Sequence, residues 1–139
     1  MPLTLQELEH MTLENVIGRR DLGRARLATP AEIAALSGTV GEGPARGILE
    51  EWRLVAIDLV HRPPGFMLLA SMDGQTWGTS LVRALDLDAG RARTRSGSIY
   101  MLVQAGQGEP PLEHVLHFCF MLHAWGVGPI LAVPEVWYR

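Results

Sequence analysis

The side chains best suited to chemistry lie close together near the C-terminus: His114, His117, Cys119 and His123. Imidazole and thiolate are the standard ligands of zinc, and a cysteine beside a histidine supplies a nucleophile with its base. Spacing limits both readings. At roughly 100° per residue around a helix, His114 and His117 share a side with Met121 and Trp125, while Cys119 and His123 fall nearly opposite with Leu112 and Leu116. One ion cannot collect all four from a single helix. A metal would need one pair plus ligands from elsewhere, such as His10, His61 or a carboxylate. The usual helical zinc signature places a glutamate base within its histidine pair, and His123-Ala-Trp-Gly126 offers none. Reactive thiolates favour helix N-termini and positive surroundings, whereas Cys119 is mid-helix in a stretch without arginine. The plainer expectation is histidines hydrogen-bonded at the edge of the core and a buried Cys119, with no catalytic residue, metal or cofactor. A metal-dependent enzyme using this helix is the alternative.

The second group is Arg91-Ala-Arg-Thr-Arg95. Residues two apart on a strand face the same way, so Arg91, Arg93 and Arg95 would form a ridge fit to grip phosphates or an acidic partner. The preceding Leu85-Asp-Leu-Asp88 mirrors it. With Ala89-Gly90 at the hairpin tip, Asp88 opposes Arg91 and Asp86 opposes Arg93, leaving Arg95 free; a three-residue loop, Asp88-Ala89-Gly90, is the competing register. A third group, Arg19, Arg20, Arg24 and Arg26, lies on a glycine-punctuated loop that can reach nucleic-acid phosphates, although a solvated loop or a docking surface for an acidic protein partner is the expected reading. No aromatic residue is interleaved for base stacking, and the net charge is −3. Of the tryptophans, Trp77 in a hairpin-like connection and Trp137-Tyr138 at the C-terminus are interface-type residues, while Trp52 and Trp125 are expected in the core. The candidate binding residues are therefore Trp77, Arg91, Arg93, Arg95, Trp137, Tyr138, Arg19 and Arg20.

Composition constrains the elements that position these groups. The chain has 139 residues and is 47% hydrophobic, enough for a real core and consistent with a single domain over 1–139. All 12 basic residues are arginine, so chemistry that needs a lysine amine is excluded: the Walker-type phosphate loop, Schiff bases, the kinase strand lysine and Ser-Lys dyads. One cysteine permits no internal disulfide and favours a reducing compartment. The N-terminal residues lack a signal-peptide pattern, and the best apolar run, Val115 to Leu122, is too short to span a bilayer. A cytoplasmic protein without membrane association is expected.

Residues 4–17 carry apolar residues at helical spacing, and Thr29-Pro30-Ala31-Glu32 is a capping box opening a short second helix. After a glycine-rich loop, Trp52 to Val60 reads as a buried strand, Arg62-Pro63-Pro64-Gly65 as a turn and Phe66 to Ser71 as a second strand. Strands at 78–87 and 91–104 continue an antiparallel meander, and Glu109-Pro110-Pro111 opens a helix running to Trp125. Residues 130–133 suggest a last strand. The expected class is α+β, an antiparallel β-meander of about four to five strands with two short N-terminal helices and one buried C-terminal helix. The helical part covers about 1–45, and the meander with its helix about 46–139.

Thr79-Ser-Leu-Val-Arg-Ala-Leu-Asp86, Thr94-Arg-Ser-Gly-Ser-Ile-Tyr-Met-Leu102, Leu116-His-Phe-Cys119, Leu122-His-Ala-Trp-Gly126 and Val133-Pro134 together resemble a group of uncharacterised small proteins from GC-rich proteobacteria, their phages and mobile elements. The resemblance covers roughly the last sixty residues and carries no catalytic motif. It implies a setting in which small acidic proteins bind and block a host protein. The expected function is a non-enzymatic protein-interaction module, an inhibitor or regulator of anti-defence type whose partner is another protein. Nucleic-acid binding is the second alternative, after the metal enzyme.

Overall fold

A computed structural model describes residues 10–136. Its elements run α1 (Leu13–Val16), β1 (Gly23–Leu27), α2 (Pro30–Ala35), β2 (Gly47–Leu59), β3 (Gly65–Met72), β4 (Gln75–Asp86), β5 (Arg91–Thr94), β6 (Ile99–Leu102) and α3 (Leu112–Ala124). The α+β class and the antiparallel meander are as the sequence indicates, with six strands rather than four or five.

The long strand β2 organises the sheet. Its C-terminal half pairs with β1 on one side and β3 on the other, both antiparallel. A bulge between Glu50 and Arg53, where Glu51 takes a φ of 50°, turns its N-terminal half away. That half pairs in parallel with β6, Gly47 to Leu49 against Tyr100 to Leu102. Since β3, β4, β5 and β6 are paired in succession, this contact closes the meander from β2 back to β2. A bulge supplies the bend that lets one strand serve two neighbours in this way.

Both faces of β3 are therefore buried, and its side chains alternate between two cores. Leu68 and Ala70 point into the closed meander with Leu49, Leu54, Val82, Leu85, Ala92, Tyr100 and Leu102. Met67 and Leu69 point outward, where Val115, Phe118, Cys119 and Leu122 of α3 cover them together with Met11, Leu13, Val16 and Ile17 around α1. The near-continuous apolar run in β2 has the same cause: Leu54 belongs to the inner core, Val55 and Ile57 to the outer one.

Four local expectations are corrected. Of the helix expected over 4–17, the described part is Leu13–Val16, and residues 1–9 lie outside the described residues. The arginine-bearing stretch expected as a loop contains β1, in which Gly23 and Ala25 are buried and Arg24 is exposed. A side chain at Gly23 would stand 2.6 Å from the Asp58 carbonyl oxygen, so the close approach of β1 to β2 requires glycine there. The strand expected over 91–104 is divided at Arg95–Ser98, where Gly97 has a φ of 90° and the Thr94 N–H donates to the Ser98 carbonyl at 2.9 Å. Residues 130–133 form turns after α3 instead of a strand, closed by Leu131 N–H to Val127 O and Val133 N–H to Gly128 O.

Candidate functional site

Two histidines of the helix, His114 and His123, hydrogen-bond within the protein. His114 is buried and its Nε2 shares a hydrogen bond with Ser71 Oγ at 3.2 Å. Burial holds the His114 imidazole below its ordinary pKa, and nearby Arg53 acts in the same direction. His117 stacks with Phe120 at 6.2 Å between ring centroids, and burial also lowers its pKa. Nε2 of His123 lies 2.8 Å from the Val133 carbonyl, pinning the turns after α3 to the helix. Among the described residues, no three His, Cys, Asp or Glu side chains assemble around a point where an ion would sit.

Cys119 is fully buried in the outer core, and desolvation pushes its thiol up to about 12. That environment opposes thiolate formation, so neither histidine makes it a nucleophile. Native protein at pH 8 is therefore expected to leave Cys119 unlabelled by a disulfide-exchange reagent, with one thiol titrating after guanidinium is added. Stoichiometric labelling of the folded protein would contradict this burial.

The arginines divide into occupied and free. Arg19 makes a two-pronged contact with Asp21 at 2.9 and 2.8 Å, Arg20 donates to the Glu14 carbonyl, and Arg24 lies 3.9 Å from the Glu14 carboxylate. Arg26 is held by both Glu32 and Asp58. The cluster suggested for nucleic acid is thus largely engaged with its own neighbours. In the β4–β5 hairpin neither expected register forms: Asp86 opposes Arg91 and Ala84 opposes Arg93, across a four-residue loop at 87–90. Asp86 Oδ1 accepts the Ala89 N–H within that loop, and Arg91 donates to the Gly43 carbonyl at 2.6 Å. The acidic and basic side chains of this hairpin therefore form no ion-pair ladder. Arg93 faces Gly41, where a side chain would meet its guanidinium at 3.2 Å. The half-buried Arg91 and Arg93 are consequently packed under the 41–43 loop, whereas Arg95, beyond the strand end, is exposed. Trp77 is half-buried, donates to Tyr100 Oη at 3.2 Å and carries Arg46 over its ring at 5.4 Å. Trp137 and Tyr138 lie outside the described residues.

What the structure assembles instead is a cavity of about 450 Å³ at the open end of the outer core. Ile57 and Leu59 of β2, Gly65 at the start of β3, and Ser80 and Leu81 of β4 form one side. Leu122, Trp125, Val127 and Leu131, from the end of α3 and the turns beyond, form the other. Arg62 and Arg95 also line it, and neither guanidinium has an ion-pair or hydrogen-bond partner among the described residues. Among the described residues no acidic side chain lines the space. The segments that carry the two arginines are linked: the Arg95 N–H donates to the Leu81 carbonyl, and the Leu81 side chain lies against Gly65, three residues after Arg62.

Local sequence explains the opening. Arg62-Pro63-Pro64-Gly65 makes a stiff turn away from the sheet, with His61 at a φ of 63°, and prolines fix that path. Gly126 at a φ of 85° ends α3, so the following turns run back over the outer core and leave the space beside Trp125 uncovered. Trp125, expected in the core, is 42% exposed at the rim. A second concavity, lined by Glu50, Glu51, Ser71, Gly74, Val103 and Gln104, lies along the bulged part of β2. It lacks comparable apolar walls. Sequence reasoning singled out Arg95 as the unpaired member of its ridge but missed Arg62, which it read only as part of a turn.

The chain matches no protein-family description, no curated protein and no solved structure. No helix among the described residues is long and apolar enough to cross a membrane.

Proposed function

We propose that the protein is a non-enzymatic binding module whose site is the cavity between β2–β4 and the end of α3, and whose ligand joins an apolar body to an anionic group. The observation that carries this reading is the conjunction, among the described residues, of aliphatic walls with two unpartnered arginines and no carboxylate. A volume of about 450 Å³ falls in the usual range for small-molecule sites, roughly 300–1,000 Å³. Arginine retains its charge at all working pH values and offers a planar fork to carboxylate, sulfonate or phosphate oxygens. The proposal keeps the non-enzymatic half of the sequence reading and moves the site away from Trp77, Arg91 and Arg93.

A fluorescent naphthalene sulfonate tests it, because that probe has an apolar body and an anionic group and brightens when shielded from water. Saturable one-to-one binding to the native full chain is expected. Val127→Phe, which fills the cavity from its half-buried edge, should weaken binding about tenfold or more, equivalent to about 1.4 kcal/mol, with the far-ultraviolet dichroism unchanged. Absence of binding, or binding that ignores Val127→Phe in a folded variant, would overturn the reading.

A further inference from the structure

We infer that the ligand is a free single-chain alkyl carboxylate of fatty-acid type, held with its chain in the cavity and its head at Arg62 and Arg95; this rests on the cavity being the binding site. Three features of the lining select that class. The walls are aliphatic apart from Trp125 at the rim: Ile57, Leu59, Leu81, Leu122, Val127 and Leu131 offer no aromatic face deep in the space for an aryl group to stack on. A flexible alkyl chain needs only apolar area. Polar partners are equally scarce: besides the Trp125 indole N–H, the uncharged polar side-chain group among the described lining residues is that of Ser80. Its hydroxyl already shares a 3.0 Å hydrogen bond with Ser96. A peptide entering this space would bury amide N–H groups for which the arginines offer no acceptor, which is costly, whereas a methylene chain has none to satisfy. The charge is equally selective: two arginines and no acid among the described lining residues favour an anionic head, and an ammonium head would meet repulsion from the arginines.

The structure also ties the cavity to the core. Ile57, Leu122 and Leu131 line the cavity and belong to the outer hydrophobic cluster. A chain lying in the cavity would therefore extend that cluster, removing its open end from water. Affinity should then grow with each methylene until the walls are covered, and stop growing once further carbons project into solvent.

Calorimetric titration of the full chain with hexanoate, octanoate, decanoate and dodecanoate, alongside the matching 1-alkanols and alkylamines, tests this. Affinity for the carboxylates is expected to rise about fourfold per methylene and then level off. Each carboxylate should bind about tenfold or more tightly than its alkanol, since charge-assisted bonds to arginine are the stronger kind, and the amines weakest. Arg62→Gln with Arg95→Gln should erase the preference for carboxylate over alkanol while leaving the chain-length slope in place. Alkyl sulfates and phosphates form a further arm: tighter binding of either than of the carboxylate assigns the head to that group and overturns the fatty-acid assignment. Co-sedimentation with vesicles of anionic phospholipid separates a free amphiphile from a lipid surface, and vesicle binding that survives the double substitution counts against it. Equal affinities for carboxylate and alkanol in the unaltered protein, or no dependence on chain length, also overturn it. If the naphthalene sulfonate binds in the cavity but none of the alkyl carboxylates does, the cavity stands as the site and only this ligand class fails.

Discussion

Replacing Leu122 by alanine is expected to lower the unfolding free energy by about 2–5 kcal/mol. Leu122 is 1% exposed and serves the outer core and the cavity together. Truncating it removes packing against the neighbouring residues of that cluster and enlarges a space that is already open on one side. Partial collapse onto the gap is resisted here, because His123 anchors the following turns to the Val133 carbonyl. A domain of this size has a total stability of roughly 5–15 kcal/mol, so the loss should appear as a clear fall in the denaturant midpoint with the slope unchanged. A ligand that fills the enlarged space should recover part of it, by about 2.7 kcal/mol at a hundredfold excess over its dissociation constant. Leu85→Ala offers a comparison. Leu85 is as deeply buried but belongs to the inner core, away from the cavity, so a similar loss should follow with no change in ligand preference. If Leu122→Ala costs less than 1 kcal/mol, the outer core is not continuous with the cavity wall.

The elements were legible wherever a local rule governs them. Thr29 accepts the Glu32 N–H and Glu32 accepts the Thr29 N–H, the capping box that the spacing of Thr29 and Glu32 announces. Asp73 and Gly74 take positive φ values in the β3–β4 turn, as an Asp-Gly pair between strands leads one to expect. The Pro110-Pro111 pair stands just before α3, and Gly126 just beyond its end. Illegible features depend on long-range contact. The division of β2 between two neighbouring pairings follows from the bulge at Glu50–Arg53, which no residue type in Leu49-Glu-Glu-Trp-Arg53 signals. Strand β1 is hidden because alternating arginines on a short segment look like a solvated loop until Asp58 and Glu32 are placed opposite them.

The same contrast applies to the site. Helical spacing alone separated Cys119 from His117, and the structure gives those groups separate surroundings. The cavity could not be read this way. Its walls come from four parts of the chain, each apolar for the ordinary reason that it lies against the core, and only their incomplete mutual coverage makes a space. Arg62 and Arg95 are 33 positions apart in the chain and meet one cavity because β3 and β4 lie between them as neighbours. A free arginine was a usable clue at Arg95, where the ridge argument left it unpaired. At Arg62 the adjacent prolines gave a complete explanation of the segment as a turn and concealed the charge.

The other large effect concerns Arg26, which joins β1 to both β2 and α2. Its guanidinium reaches Glu32 through two bonds of 2.6 and 2.8 Å and Asp58 through two of 2.7 and 3.0 Å. The three side chains are about one-fifth to one-third exposed, enough shelter for these contacts to exceed an ordinary surface pair. Removing the guanidinium leaves two carboxylates facing each other's field without a counter-charge, so Arg26→Ala should cost about 1–3 kcal/mol at neutral pH. The sign of the pH dependence follows from Glu32. Bonds from Arg26, then from the Thr29 backbone, lower its carboxyl from 4.5 to about 2. A carboxyl depressed by folding contributes stability that is fully present above its unfolded value and is lost as pH falls through the folded value. The contribution should therefore be intact above about pH 4.5 and fade towards pH 2. Urea denaturation of the unaltered protein and Arg26→Ala across that window should give stability curves that converge as the pH falls. Arg26→Lys separates charge from geometry: a point charge cannot make the four bonds of the planar fork, so it should recover less than half of the loss. Parallel curves down to pH 2 would mean that Arg26 stabilises the sheet edge through its aliphatic stem and not through these ion pairs.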